Sequence, residues 1–384
     1  MSAVNSVLVV GGGLAGAGTA IHLAKAGVAV DLVEIKPDVA ALGSGITLQG
    51  NALRELTGLG VWDQVRAAGY PFDTTGIRAP DPNGTVVAEI ADAKTGGPDL
   101  PAVMGMPRPE LARILIDRAT EVGVKVRFGT TFTELAQDDD GVDVTFSDGA
   151  GALATEGRRG RYDLVVGADG IRSWTRRALD INLETKSVGM GIWRAFGPRP
   201  ASVTRTDLYY GGPSYIAGYC PTGEDSLYAY IVEDALDRSA LSPDEQLATM
   251  KQLSQAYHGP WDEIRETLTD PSRVNYTWFE THVLDVPWNR GRVVLIGDAA
   301  HTCPPTIAQG GAMALEDAVV LAELLTERAT LDQDLWDAFH ARRYERAKTV
   351  VDASNQLAQC QLDHVRGDIP TLMRGIAELV AEPA

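Results

Sequence analysis

The chain has 384 residues, 45% of them hydrophobic, with forty glycines and a net charge of -18. That length suits two domains, and the negative charge opposes binding to nucleic acid or an anionic membrane surface. Cys220, Cys303 and Cys360 form no C-x-x-C pair, no H-E-x-x-H spacing occurs, and no apolar run is long enough for a membrane span. Neither a metal site nor a disulfide framework, signal peptide or anchor is therefore expected. A cytoplasmic protein, monomer or homodimer, is the expectation.

Val7 to Val10 reads as a strand buried on both faces, followed by Gly11-Gly12-Gly13-Leu14-Ala15-Gly16 and a helix whose small apolar face includes Ala15, Ala17, Ala20, Leu23 and Ala24. In such a turn Gly11 permits the bend, Gly13 lets a pyrophosphate approach the backbone, and Gly16 lets helix and strand pack closely. The free N–H groups at the helix start, with those of Leu14 and Ala15, face the phosphates. Glu34 closes the second strand eighteen residues after Gly16, in register to bind both hydroxyls of an unphosphorylated ribose. The motif predicts a dinucleotide without distinguishing NAD from FAD.

Leu42 to Leu48, with Gly43 and Gly45, has the glycine density of a loop that approaches a ligand. Asn51 to Val65 reads as one helix with Leu53, Leu56 and Leu59 inward. Short strands and turns are expected from Phe72 to Leu100, then a helix from Arg108 with Pro109 at its first position. Val124–Val126 and Gly141–Phe146 read as strands, with a turn at Ser147-Asp148-Gly149. Tyr162–Val166 reads as a buried strand ending at Gly167-Ala168-Asp169-Gly170, a second candidate cofactor contact. From Lys186 to Thr281 alternation and aromatic content predict an antiparallel sheet, covered on one side by a helix from Ser242 to Ala256. Arg292–Ile296 restores a buried strand, and helices follow from about Gly311 to Leu325 and through Leu335, Trp336, Phe339, Tyr344 and Val351.

The segments Gly11-x-Gly13-x-x-Gly16, Asp169-Gly170-Ile171-Arg172-Ser173-Trp174-Thr175-Arg176 and Gly297-Asp298-Ala299-Ala300-His301, with Pro304 and Gln309-Gly310, resemble in order the class A flavoprotein monooxygenases. The resemblance spans essentially the whole chain. It implies an α/β protein of the para-hydroxybenzoate hydroxylase type: a Rossmann-like FAD-binding domain at 1–72, 102–178 and 287–345, an inserted antiparallel-sheet substrate domain at 73–101 and 179–286, and a C-terminal helical segment at 346–384. It further implies that Gly11, Gly13, Gly16 and Glu34 hold the ADP half of FAD, that Asp298 bonds the ribityl chain, and that Arg108 lies near the flavin. Asp169 and Gly170 serve FAD and NAD(P)H, and Phe132 contacts adenine. As an ordinary residue ahead of a helix, Arg108 would simply be solvated. The helix beginning near Gly310, Gly311 and Ala312 aims its dipole at the flavin, where charge collects on reduction. The commoner family pattern Gly-Gln-Gly-x-Asn reads Ala308-Gln309-Gly310-Gly311-Ala312 here, so one asparagine contact is missing.

The activity implied is hydroxylation of a small phenolic or N-heteroaromatic ring, driven by NADH or NADPH and O2 through a flavin C4a-hydroperoxide in a dry pocket. Pocket candidates are Thr47, Gln49, Trp193, Arg194, Tyr210, Tyr219 and Pro304. Tyr219, Tyr210 or a His-linked water is the candidate acceptor of the substrate proton, and Pro304 lies beside the ring. Each aromatic competes with a plain core role, and Arg194 with a sheet-edge one. Thr47 stands where hydroxynicotinate-type relatives carry a histidine, so their substrate does not transfer. Flavin-dependent reductases, halogenases and a non-catalytic aromatic sensor share the fold. The halogenase Trp-x-Trp-x-Ile-Pro stretch is absent from the sequence.

Overall fold

A computed structural model describes residues 2–39, 45–148, 155–365 and 367–384. The glycine-dense residues 42–44 and the turn residue Gly149 lie outside the described residues. Strand Ser6–Val10 sits inside a six-stranded sheet, flanked by Leu164–Gly167 and Ala29–Glu34, with Val293–Leu295 and Lys125–Phe128 beyond them and Asn289–Arg290 at one edge. The pairings are parallel except for the edge hairpin. Helices cover one face and a three-stranded antiparallel sheet, Thr130–Gln137, Val142–Asp148 and Thr155–Tyr162, covers the other. Val7, Leu8 and Val9 are consequently fully buried, which is why that strand is a continuous aliphatic run rather than an alternating one.

The second large sheet has eight strands in the order His301–Thr302, Val274–Val283, Lys186–Pro198, Ser226–Asp234, Ile216–Pro221, Asp207–Tyr210, Thr74–Arg78, Val86–Ala91. Its pairs are antiparallel except Asp207–Tyr210 with Thr74–Arg78. Helices Pro243–Ser254, opened by a Ser242/Glu245 capping box, and Pro260–Thr267 cover its outer face. Its inner face meets a small sheet of Gly45–Gln49, Val103–Pro107 and Tyr70–Phe72. Contact there is close: a Cβ on Gly105 would lie 2.0 Å from the Pro221 carbonyl oxygen.

Two elements differ from expectation. The helix expected over Asn51–Val65 is two, Gly50–Leu59 and Trp62–Ala68, because Gly60 takes φ +81° and ends the first. The helix Gln333–Leu362 runs unbroken for 30 residues, through the boundary expected at 345/346, and Ile369–Ala381 follows it. No helix among the described residues is long and apolar enough to cross a membrane.

Candidate active site

Two helix N-termini meet in one cleft. Helix Leu14–Lys25 starts at Gly13 and helix Gly310–Glu327 at Gln309, neither with a side-chain cap. They are neighbours: a Cβ on Gly311 would lie 3.0 Å from Leu14 Cδ1, and one on Gly18 3.1 Å from Ala318 Cβ. The first turns of both helices therefore offer unpaired N–H groups and the positive ends of two dipoles.

The glycines of the first turn divide the work. Gly11 has φ +106°, and a Cβ there would fall 2.3 Å from the Ala168 carbonyl oxygen. A Cβ on Gly16 would fall 1.9 Å from the Gly11 carbonyl oxygen, whereas one on Gly13 would meet nothing within 4 Å. Gly13 thus borders open space, as a phosphate site requires. Glu34 is oriented by two backbone donors, Gly12 N–H at 2.8 Å and Lys36 N–H at 2.9 Å.

Against the starts of both helices, with a Cβ on Gly297 falling 2.9 Å from Ala15 Cβ and 3.5 Å from Ala314 Cβ, Gly297-Asp298 follows strand Val293–Leu295. Asp298 is open to solvent yet hemmed by protein, and burial raises its carboxyl pKa, against the pull of Arg108 and His301. The segment rests on Asp317, which accepts from Gly297 N–H at 2.8 Å and Arg343 Nε–H at 2.7 Å and lies 2.7 Å from His301 Nε2. Burial opposes that charge, but His301 and Arg343 outweigh it and hold the carboxyl down at about 2. Glu316 beside it pairs with Arg343 and Arg346. This ionic cluster is buried directly beneath the helix whose first turn opens on the cleft.

The uncapped amides beside Gly13 and the oriented Glu34 carboxylate form a cradle of the kind that a dinucleotide needs. The FAD binding domain family matches residues 5–354. The chain is a class A flavin monooxygenase. It is 32% identical to the aurachin C monooxygenase/isomerase of Stigmatella aurantiaca, over 92% of this chain and 89% of that protein. It is 31% identical to the 3-amino-4-hydroxybenzoate 2-monooxygenase of Streptomyces cremeus, over 92% and 86%. Among solved structures, 2-methyl-3-hydroxypyridine-5-carboxylic acid oxygenase superposes with a TM-score of 0.79 at 26% identity, covering 97% of this chain and 96% of that one.

In this flavin monooxygenase the expected substrate residues divide by strand phase. Arg194 and Tyr210 lie on the inner face of the large sheet. Tyr219 and Trp193, expected in the pocket, lie instead on the outer face, buried under the two covering helices. Tyr219 donates to Asp207 Oδ2 at 2.7 Å, and Trp193 Nε1–H donates to Glu233 at 2.8 Å. Burial, followed by Tyr209 and Asp207, pushes the Tyr219 phenol far above its ordinary value. Phe132, expected at adenine, is 2% exposed between the two sheets of the cofactor domain with Leu8, Val10 and Phe146.

Other expected residues carry structural duties as well. Asp169 accepts from Ser173 Oγ at 2.5 Å and from Thr175 N–H at 2.8 Å, so it braces Ser173, the cap of helix Trp174–Ala178, while Gly170 (φ +80°) makes the turn before it. Arg108 is exposed at a helix start, electrostatically coupled to Asp298 and Tyr228. Thr47 donates to Cys220 Sγ at 3.7 Å, and Gln49 opens the helix Gly50–Leu59. Gly45 abuts Tyr228, Ala312 is buried, and Pro304 precedes the short turn Pro305–Ile307.

Sequence reasoning passed over Tyr228 and Tyr230, which share the inner face with Arg194. Tyr228 OH accepts from Arg194 Nε–H at 3.0 Å, and Arg194 Nη1–H donates to Thr277 Oγ1. The signal was present: Ser226–Asp234 places Tyr228 and Tyr230 on one face and Leu227, Ala229 and Ile231 on the other. Arg176 was also passed over as a tie; it donates to the Ala299 carbonyl at 2.9 Å and the Ile171 carbonyl at 2.8 Å, joining the second motif to the third.

Proposed function

We propose that this enzyme uses NADH or NADPH and O2 to hydroxylate a small aromatic substrate, phenolic or N-heteroaromatic, carrying an acidic group. The observation that supports this reading most is Arg194. Among the described residues its guanidinium has neutral hydroxyl partners and no salt bridge, on a face lined by Tyr210, Tyr228 and Tyr230. A partly buried cation without a counter-anion favours a ligand that brings one. Two similar proteins are named for hydroxylated aromatic acids, and others for an alkyl quinolone, so the acidic group rests on Arg194 rather than on the names.

Bound FAD supplies hydride acceptance and oxygen activation. The protein's part is orientation and electrostatics. Gly310, Gly311 and Ala312 present free amides, and Arg194 stabilises an oxyanion on the ring or its substituent. Burial raises the Tyr228 phenol pKa, and Arg194 offsets this only in part, so Tyr228 is protonated at neutral pH and does not serve as a base. Activation of the ring then depends on the substrate arriving as, or being held as, its anion.

The test is oxygen uptake and nicotinamide oxidation with a panel of phenols, hydroxypyridines and aromatic acids, with peroxide titrated alongside. Stimulation by acidic rings with little peroxide is expected. Equal stimulation by neutral alkyl aromatics would remove Arg194 from substrate recognition.

A further inference from the structure

Strand Gly45–Gln49 and the first turn of helix Gly310–Glu327 form adjoining walls of the FAD cleft, a Cβ on Gly311 falling 3.6 Å from Ile46 Cδ1. What ties them behind the cleft is a pair of side-chain amides. Asn51 Nδ2–H donates to Gln309 Oε1 at 2.9 Å, and Gln309 Nε2–H returns a bond to Asn51 Oδ1 at 3.3 Å. Asn51 is fully buried and Gln309 is 4% exposed. The Asn51 amide also donates to Glu316 Oε1 at 3.0 Å, so the pair is anchored to the ionic cluster beneath the same helix.

The residue before Gln309 makes this pair more than core filling. Ala308 has φ +54°, one of three non-glycine residues with positive φ among those described, and a side chain in that region is strained. The commoner pattern places glycine there and asparagine at position 312, where this chain has a buried alanine. The turn is thus stiffer than a glycine turn, and no side-chain amide at 312 helps to place the ring. Position and direction of the Gly310, Gly311 and Ala312 amides then depend on how Gln309 is held, since the first intrahelical bond begins only at Met313 N–H to the Gln309 carbonyl, 3.0 Å.

We propose that Gln309 is a positioning residue: its amide pair with Asn51 holds the Ala308 turn and so sets the backbone donors that the flavin half of FAD meets. Gln309 acts through the backbone and need not touch FAD. The inference rests on FAD binding, not on the substrate reading above.

The experiment titrates FAD into full-length apoprotein, records the bound-flavin spectrum, and follows apoprotein melting. Gln309→Met keeps the volume and removes both bonds. It is expected to raise the FAD Kd about tenfold, because the turn is no longer preorganised for the cofactor, and to shift the flavin absorption bands. The double variant Asn51→Leu/Gln309→Met is expected to match Gln309→Met rather than the product of the single effects. Ala308→Gly is expected to raise the melting temperature yet weaken FAD about threefold, by freeing the turn. Tyr219→Phe, on the far side of the substrate sheet, serves as the stability control. An FAD Kd unchanged in Gln309→Met, or a loss that Tyr219→Phe reproduces at equal loss of melting temperature, overturns the proposal. If Gln309→Met does not fold, Ala308→Gly decides: weaker FAD with raised melting supports it, and unchanged FAD affinity overturns it.

Discussion

The two faces of the large sheet carry similar residues and different chemistry. On the outer face Tyr209, Tyr219, Tyr257 and Trp261 pack edge to face, and their hydroxyls are consumed internally: Tyr209 by the His258 carbonyl at 2.6 Å, Tyr219 by Asp207 at 2.7 Å. On the inner face Tyr210 is 39% exposed, and Tyr228 leans on a guanidinium that has no carboxylate partner among the described residues. A tyrosine's role in this sheet is decided by the strand phase that places it and by the partner its hydroxyl finds, not by its presence in an aromatic-rich stretch.

The contrast can be broken most severely at Asp207, which joins the segment at 73–101 to the rest of the substrate sheet by accepting from Arg78 at 2.5 Å, Arg205 at 2.9 Å and Tyr219. Asp207→Ala should cost about 3 kcal/mol in urea unfolding, the low end for a broken buried pair because both arginines keep some solvent, with little change in activity per folded molecule. Burial alone would raise the Asp207 carboxyl, but hydrogen bonds from Tyr219, Arg78 and Arg205 hold it below 3.8. Its contribution is therefore complete above the unfolded pKa and lost as pH falls through the lower folded value. Asp207→Asn should flatten that acid limb of the stability profile.

Next in size is the inner face. Arg194→Met should lower kcat/KM for an acidic substrate by about a hundredfold, the worth of a charge-assisted hydrogen bond, with melting temperature and FAD affinity unchanged. Tyr219→Phe should cost about 1 kcal/mol of stability and leave turnover intact; a large loss of coupled turnover would return the outer face to the mechanism. The smallest effect is expected for Tyr228→Phe, a severalfold rise in KM at constant stability, read from steady-state kinetics.

Much of the cofactor half could be read from the chain because its requirements are local. Gly11, Gly13 and Gly16 answer to one turn, and Glu34 to the strand that follows. The substrate half depends on phase: Trp193 and Arg194 are consecutive, and only long-range register decides which of them faces inward. The burial of Phe132 was hidden for a related reason, since its pairing with Val142–Asp148 is set by register and not by a local pattern. The ionic cluster was invisible because Arg343 and Asp317 lie on different helices, 26 residues apart. Nothing in either local pattern announces the partner.

The long helix Gln333–Leu362 is 30 residues, or about 45 Å at 1.5 Å per residue. Its first half supplies Arg343 and Arg346 to the cluster under the cofactor helix, and its last turns lay Ala358 and Leu362 against the substrate sheet. Neither lobe can melt without releasing one end of this rod. Heat should therefore unfold the two lobes in a single cooperative transition, and mid-helix amides should exchange with solvent deuterium only when the entire molecule opens.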